Sequence, residues 1–204
     1  MLVTKILFIA YSIAEPGYLI FEDSMTLFTV VLYTHLLGVV ALFIGQSMEW
    51  TASSLFRKAS STEQVYAWLR VFKVSPPLSG IGFGVLLLSG GYLAQLSGAM
   101  KQGWIPATFL AIGVALLLGI LVIMPRMNKI RKTLPSLNQP VNMELRARLA
   151  DPVLLSAIRI RVLLAAGIVY LMVAKTPFAP SLLALGVAFI AGILLSIPVW
   201  PRPA

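Results

Sequence analysis

Residues 25–48 read MTLFTVVLYTHLLGVVALFIGQSM, and this stretch decides the fold. It holds one histidine, His35, and no aspartate, glutamate, lysine or arginine. A bilayer core of roughly 30 Å is crossed by about 20 apolar helical residues. The stretch is long enough to cross and carries no charge that crossing would have to bury. Three further stretches have the same character. Residues 76–97 open with Pro76 and Pro77, which suit a helix start. Residues 104–124 are closed by Pro125 and a basic run, and residues 180–199 by Pro198 and Pro201.

A fifth span lies over residues 152–175. Its apolar core, Val162 to Ala174, is short and is flanked by Arg159, Arg161 and Lys175. Long basic side chains reach the headgroups from inside the core boundary, which restores the missing length. Asp151 and Pro152 form an N-cap and first-turn pair. At the N-terminus, Glu15, Pro16 and Gly17 interrupt an apolar run, so residues 1–21 read as an interfacial or half-inserted helix rather than a sixth span.

The composition agrees with this reading. Of 204 residues, 59% are hydrophobic and 11% charged, against about a quarter charged in soluble domains. A disordered chain, a collagen-like chain and an ordinary water-soluble enzyme are excluded. The expected fold is all-α: one polytopic transmembrane bundle over residues 1–204, with five spans, or six if the N-terminus crosses.

The net charge of +9 orients the bundle. Loops 51–77 and 125–161 hold Arg57, Lys58, Arg70, Lys73, Arg126, Lys129, Arg131, Lys132, Arg146, Arg148, Arg159 and Arg161, and Arg202 lies in the tail. Lys5, Lys101 and Lys175 fall on the opposite side. The basic side is cytoplasmic by the positive-inside rule, so the N-terminus is outside and the C-terminus inside. Arg126, Lys129, Arg131, Lys132, Arg159 and Arg161 are expected to contact anionic lipid headgroups. Nucleic acid is not an expected partner, because no aromatic interleaving or recognition motif accompanies the basic residues.

The loops carry helical signals of their own. Ser61 and Gln64 make a capping box before Val65, Trp68, Leu69 and Phe72, whose spacing predicts an amphipathic helix on the membrane surface. The third span is expected to continue through its basic run to Pro135, and residues 141–150 read as helix.

Two residue sets carry the functional reading. Gly80, Gly84, Gly91 and Gly98 share one face of the second span, where a backbone of this chain, a cofactor or a partner subunit could approach closely. Ala184, Ala188 and Ala191 make a second small face in the last span. On the first span, His35, Gly38, Leu42, Gly45 and Glu49 form one stripe. His35 is a candidate axial ligand of haem b iron, with Gly38 and Gly45 leaving room for a flat macrocycle. The alternatives are a hydrogen bond to Tyr92 or Gln95, or a metal or proton role.

Other chemistry has little to stand on. The chain has no cysteine and one histidine, so a zinc site lacks ligands. No Walker loop, HExxH or GxSxG occurs. Eight methionines are scattered over spans and loops, a weak basis for copper(I).

YTHLLGVVALFIGQSMEW resembles the first helix of the copper-resistance-D-like and HemJ-like membrane proteins. GWIPATFLAIGVALLLGILVIMPRM followed by IVYLMVAKTP resembles a bacterial integral membrane family, the domain-of-unknown-function group 2269. The likeness covers roughly residues 26–195, through short apolar motifs. It implies a helical bundle in a bacterial inner membrane, with His35 at the position of the HemJ-like haem histidine. It does not carry over the oxidase activity, because the lysine found within the third helix of those oxidases has no counterpart in residues 104–124. Lys175-Thr176-Pro177 is one residue longer than the family's Lys-Pro, which leaves the role of Lys175 open.

The leading expectation is a non-enzymatic bundle, either an accessory or structural subunit or a small-molecule binder, associating with other membrane subunits or with itself. The alternatives are a b-type haem protein or porphyrin-linked oxidoreductase using His35, and, more weakly, copper or ion transport.

Overall fold

The computed structural model describes residues 2–136 and 139–200, with side chains from Thr26 onward except Val199, and it is helical almost throughout. Helix α1 runs over Leu2–Phe56 and α2 over Thr62–Leu96. Helix α3, Trp104–Leu117, passes through a π-helical turn, Leu118–Ile123, into α4, Met124–Thr133. Helix α5, Met143–Leu149, precedes α6, Pro152–Ala174, and α7, Phe178–Leu194. The interfacial segment expected over residues 1–21 lies where side chains are outside the described part.

Among the described residues, four helical stretches are long and apolar enough to cross a membrane: Thr26–Phe56, Thr62–Leu96, Trp104–Thr133 and Met143–Ala174. Phe178–Leu194 is apolar but shorter. Their side chains mostly face outward; Leu88, Val173 and Leu183 are 81%, 80% and 72% exposed. So much contiguous apolar surface is unfavourable against water and neutral against lipid.

Helix α2 departs from the sequence reading. Pro76 does not start it; one helix of 35 residues passes through Pro76 and Pro77. Its length is about 50 Å, so roughly 20 Å of it extends beyond a bilayer core. Pro76 has no N–H to offer the Phe72 carbonyl, and the Ser75 hydroxyl donates to that oxygen instead, at 3.4 Å. Such re-satisfied carbonyls let a proline sit inside a membrane helix. The separate surface helix expected around residues 65–72 is therefore the first part of α2. Val65, Leu69 and Phe72 are buried with Phe56, Met127, Ile130, Leu145 and Leu154 in a hydrophobic cluster at the basic end of the bundle.

The capping of α2 is also shifted. Ser61 Oγ accepts from the Gln64 N–H at 3.4 Å, while Gln64 Oε1 accepts from the Ser60 N–H at 2.9 Å rather than from Ser61. The second basic loop is stitched to this cap: Thr62 N–H donates to Gln139 O at 3.0 Å, and the Tyr66 hydroxyl donates to Pro135 O at 3.2 Å.

Helices α3 and α4 form one run interrupted by the π-helical turn just before Pro125. The missing proline N–H breaks the α-type ladder there, and the wider turn accommodates the break. Asp151 caps α6 by accepting from the Val153 and Leu154 N–H groups at 2.9 and 3.4 Å. Its other oxygen accepts from Arg126 Nε at 2.9 Å, which fastens α4 to the start of α6. At the opposite end of α6, Lys175 closes the helix in the left-handed region, φ 48. A second cluster, including Trp104, Ala107, Leu171 and Leu185, holds that end together.

Candidate functional site: the α1–α2 seam and the α1–α6 ion pair

Helices α1 and α2 lie antiparallel along a seam made by small residues. A Cβ added at Gly45 would stand 2.6 Å from Ser79 Oγ and 2.8 Å from Ser75 O. One added at Gly82 would stand 2.6 Å from the Leu42 nitrogen and 2.8 Å from Gly38 O. One added at Gly38 would stand 3.0 Å from Val85 Cγ1. Glycine permits this approach because it has no side chain to exclude the facing helix.

This seam corrects the room expected for a macrocycle. Gly38 and Gly45 do share the His35 face, but α2 occupies the space they leave. The glycines of α2 that meet α1 are Gly82 and Gly90. Added Cβ atoms at Gly80, Gly84 and Gly91 would meet nothing within 4 Å, so that stripe faces away from the rest of the chain. Gly98 lies beyond α2 at φ 67, a left-handed position that suits glycine, and it too is open. In the last span, Ala188 is the contact of Gly167 on α6, with 3.1 Å to an added Cβ.

His35 is 8% exposed and packs on Gly90, whose added Cβ would stand 2.9 Å from the ring. Its partner is neither Tyr92 nor Gln95 but Ser89: Nδ1 lies 3.0 Å from Ser89 Oγ. The Ser89 hydroxyl donates its single proton to Val85 O at 2.5 Å. Ser89 Oγ therefore accepts from Nδ1–H, and the neutral imidazole keeps its lone pair on Nε2. Ser89 was not singled out in the sequence, because its relevance depends on the α1–α2 register.

A second site was missed for the same reason. Arg161 Nη1 pairs with Glu49 Oε2 at 3.3 Å, with side chains 16% and 3% exposed. The pair joins α1 to α6 at the basic end of the spans. Gln46, one turn before Glu49, is buried with Oε1 lacking a hydrogen-bond partner. The signal available in the sequence was depth alone: Glu49 closes the apolar stretch of α1, and Arg161 directly precedes the apolar core Val162 to Ala174 of α6.

The residues expected at lipid headgroups divide into two groups. Lys129, Arg131 and Lys132 are exposed on α4. Arg126, Arg159 and Arg161 make contacts within the chain: Arg126 with Asp151, Arg161 with Glu49, and Arg159 with Trp50 and the Leu195 carbonyl. Among the described residues, no three histidine, cysteine or acidic side chains converge on a metal-sized site.

No family model matches the chain, and no curated protein or solved structure matches it.

Proposed function

We propose that the chain is a non-enzymatic accessory or structural subunit of a bacterial inner membrane, with its two long basic loops and its C-terminus in the cytoplasm. One observation carries this reading. Helix α2 has two glycine faces, and the chain uses only one. Gly82 and Gly90 pack on α1, whereas Gly80, Gly84 and Gly91 have open space before them. A second small-residue face on a membrane helix suits the close approach of another helix, whether from a partner subunit or a second copy. The interior ionic groups fit a structural role, because Glu49 and Arg161 bind one another.

Gly84→Leu tests the proposal. The variant should fold and insert normally, yet migrate on a native gel as a smaller species than the wild type. Wild-type protein that runs as a lone monomer, unchanged by Gly84→Leu, contradicts the reading.

A second reading rests on the His35–Ser89 hydrogen bond. Histidine ligands commonly donate the non-coordinating N–H to a fixed acceptor, which orients the ring and leaves the other nitrogen free. Ser89 supplies that acceptor, so Nε2 is the atom that would meet haem iron, in keeping with the HemJ-like resemblance. Against this reading, α2 fills the space at Gly38 and Gly45. An absorption spectrum of the purified protein decides it: a Soret band lost in His35→Ala supports haem ligation, and no band after added haem contradicts it. Copper or ion transport has no comparable observation in its favour.

A further inference from the structure

The open face of α2 carries charge as well as glycine. At 3.6 residues per turn, Arg70, Lys73, Gly80, Gly84, Gly91 and Gln95 lie within about 40° of one line along the helix. Ser75, Ser79 and Ser89 fall on the opposite side, where they meet Gly45 and His35 of α1. Arg70, Lys73 and Gln95 are exposed. From Lys73 to Gln95 the helix rises about 33 Å, close to the thickness of a bilayer core. The two bases therefore stand at the headgroups of the basic side, with Gly84 near mid-depth. Tyr66, one turn before Arg70, is covered by the second basic loop through its bond to Pro135 O, so the open face begins at the bases.

The chain supplies these bases with no counter-charge. Among the described residues neither Arg70 nor Lys73 makes an ion pair, and Glu49, Asp151 and Glu144 are engaged by Arg161, Arg126 and Arg148. Glu63 is exposed near the start of α2, about 10 Å along the helix from Arg70, a separation at which salt screens it.

These charges choose between the two occupants that the glycines admit. A second copy has the same orientation in the membrane, so a symmetric pair through this face is parallel and places each residue near its own counterpart. Arg70 and Lys73 would then face Arg70 and Lys73, and like charges so opposed disfavour the pairing. A different helix with carboxylates at the same depth meets the glycines and neutralises the bases together.

We propose that the Gly80–Gly84–Gly91 face of α2 receives a membrane helix of a different subunit, one bearing acidic residues where it leaves the bilayer on the basic side. The inference rests on the accessory-subunit reading above and names the chemistry of its partner.

Binding of synthetic helices to the full chain in detergent tests it. Each probe is an apolar helix with a Gly-xxx-Gly face, ending in paired glutamates or in paired lysines, and its association is followed by fluorescence anisotropy. The wild type should bind the glutamate probe about fivefold more tightly than the lysine probe. Arg70→Gln combined with Lys73→Gln, both at exposed positions, should make the two affinities equal. Lys129→Gln combined with Lys132→Gln, which removes exposed bases of α4, should leave the preference unchanged. Equal binding of the two probes by the wild type, or equal losses in the two double variants, overturns the inference. Loss of the preference on adding phosphatidylglycerol would assign the bases to lipid and overturn it as well. A homodimer of the wild type that Gly84→Leu disperses would assign the face to a second copy, overturning the inference while the accessory-subunit reading stands. Failure of that reading shows separately, as a chain that binds neither probe and does not associate with itself.

Discussion

Glu49 illustrates how a single acid is kept among apolar spans. Its carboxylate is 3% exposed and its counter-charge comes from another helix. Removing one member of such a pair strands the other, at a typical cost of about 3–5 kcal/mol. Glu49→Ala should therefore lower the unfolding midpoint in detergent sharply, and Glu49→Arg combined with Arg161→Glu should recover most of the loss. A double variant no better than the single would mean that the pair does not hold α1 to α6. Gln46 offers the opposite case. Its Oε1 is buried without a partner, a state that costs about 1–3 kcal/mol. Gln46→Met, of similar shape and without the amide, should stabilise the protein by about 1 kcal/mol, read from the same melting curves. A destabilised Gln46→Met would indicate that the amide is bonded. Ser89→Ala should loosen the His35 ring and leave the fold intact.

At the scale of elements, α2 shows what a sequence conveys and what it withholds. Apolar length identified the four helices long enough to cross a membrane and the shorter apolar helix Phe178–Leu194, and Asp151-Pro152 marked the start of α6, because both signals are local. Pro76 and Pro77 are local too, but they misled: the Ser75 hydroxyl repairs the Phe72 carbonyl, and buried contacts of Val65, Leu69 and Phe72 carry the helix through. The glycine stripe misled differently. Gly80, Gly84 and Gly91 have the more regular spacing, yet Gly82 and Gly90 meet α1, since the facing helix selects the side and no single-chain pattern reveals it. The His35–Ser89 and Glu49–Arg161 pairs were hidden for the same reason, being set by register between helices. The two faces of α2 should separate experimentally. Gly82→Leu places atoms where the Leu42 backbone stands and should abolish folded protein in size-exclusion chromatography. Gly84→Leu should elute as folded protein. Equal damage from both would contradict the packing of α1 on α2 through Gly82.

For the molecule as a whole, buried side chains concentrate in two clusters near the ends of the bundle, one under the basic loops and one around Trp104 and Leu171. Between them the spans turn leucine, valine and isoleucine outward, an arrangement that a bilayer favours. The exposed bases Lys129, Arg131 and Lys132 lie at the first of these ends. Orientation in the membrane is thus the central claim, and the absence of cysteine makes it directly measurable. Lys101→Cys and Lys132→Cys each introduce a single thiol, and a membrane-impermeant maleimide can be applied to spheroplasts before and after lysis. The account predicts that Lys101→Cys labels in intact spheroplasts and that Lys132→Cys labels only after lysis. Labelling of both positions before lysis, or of Lys132→Cys alone, would contradict it.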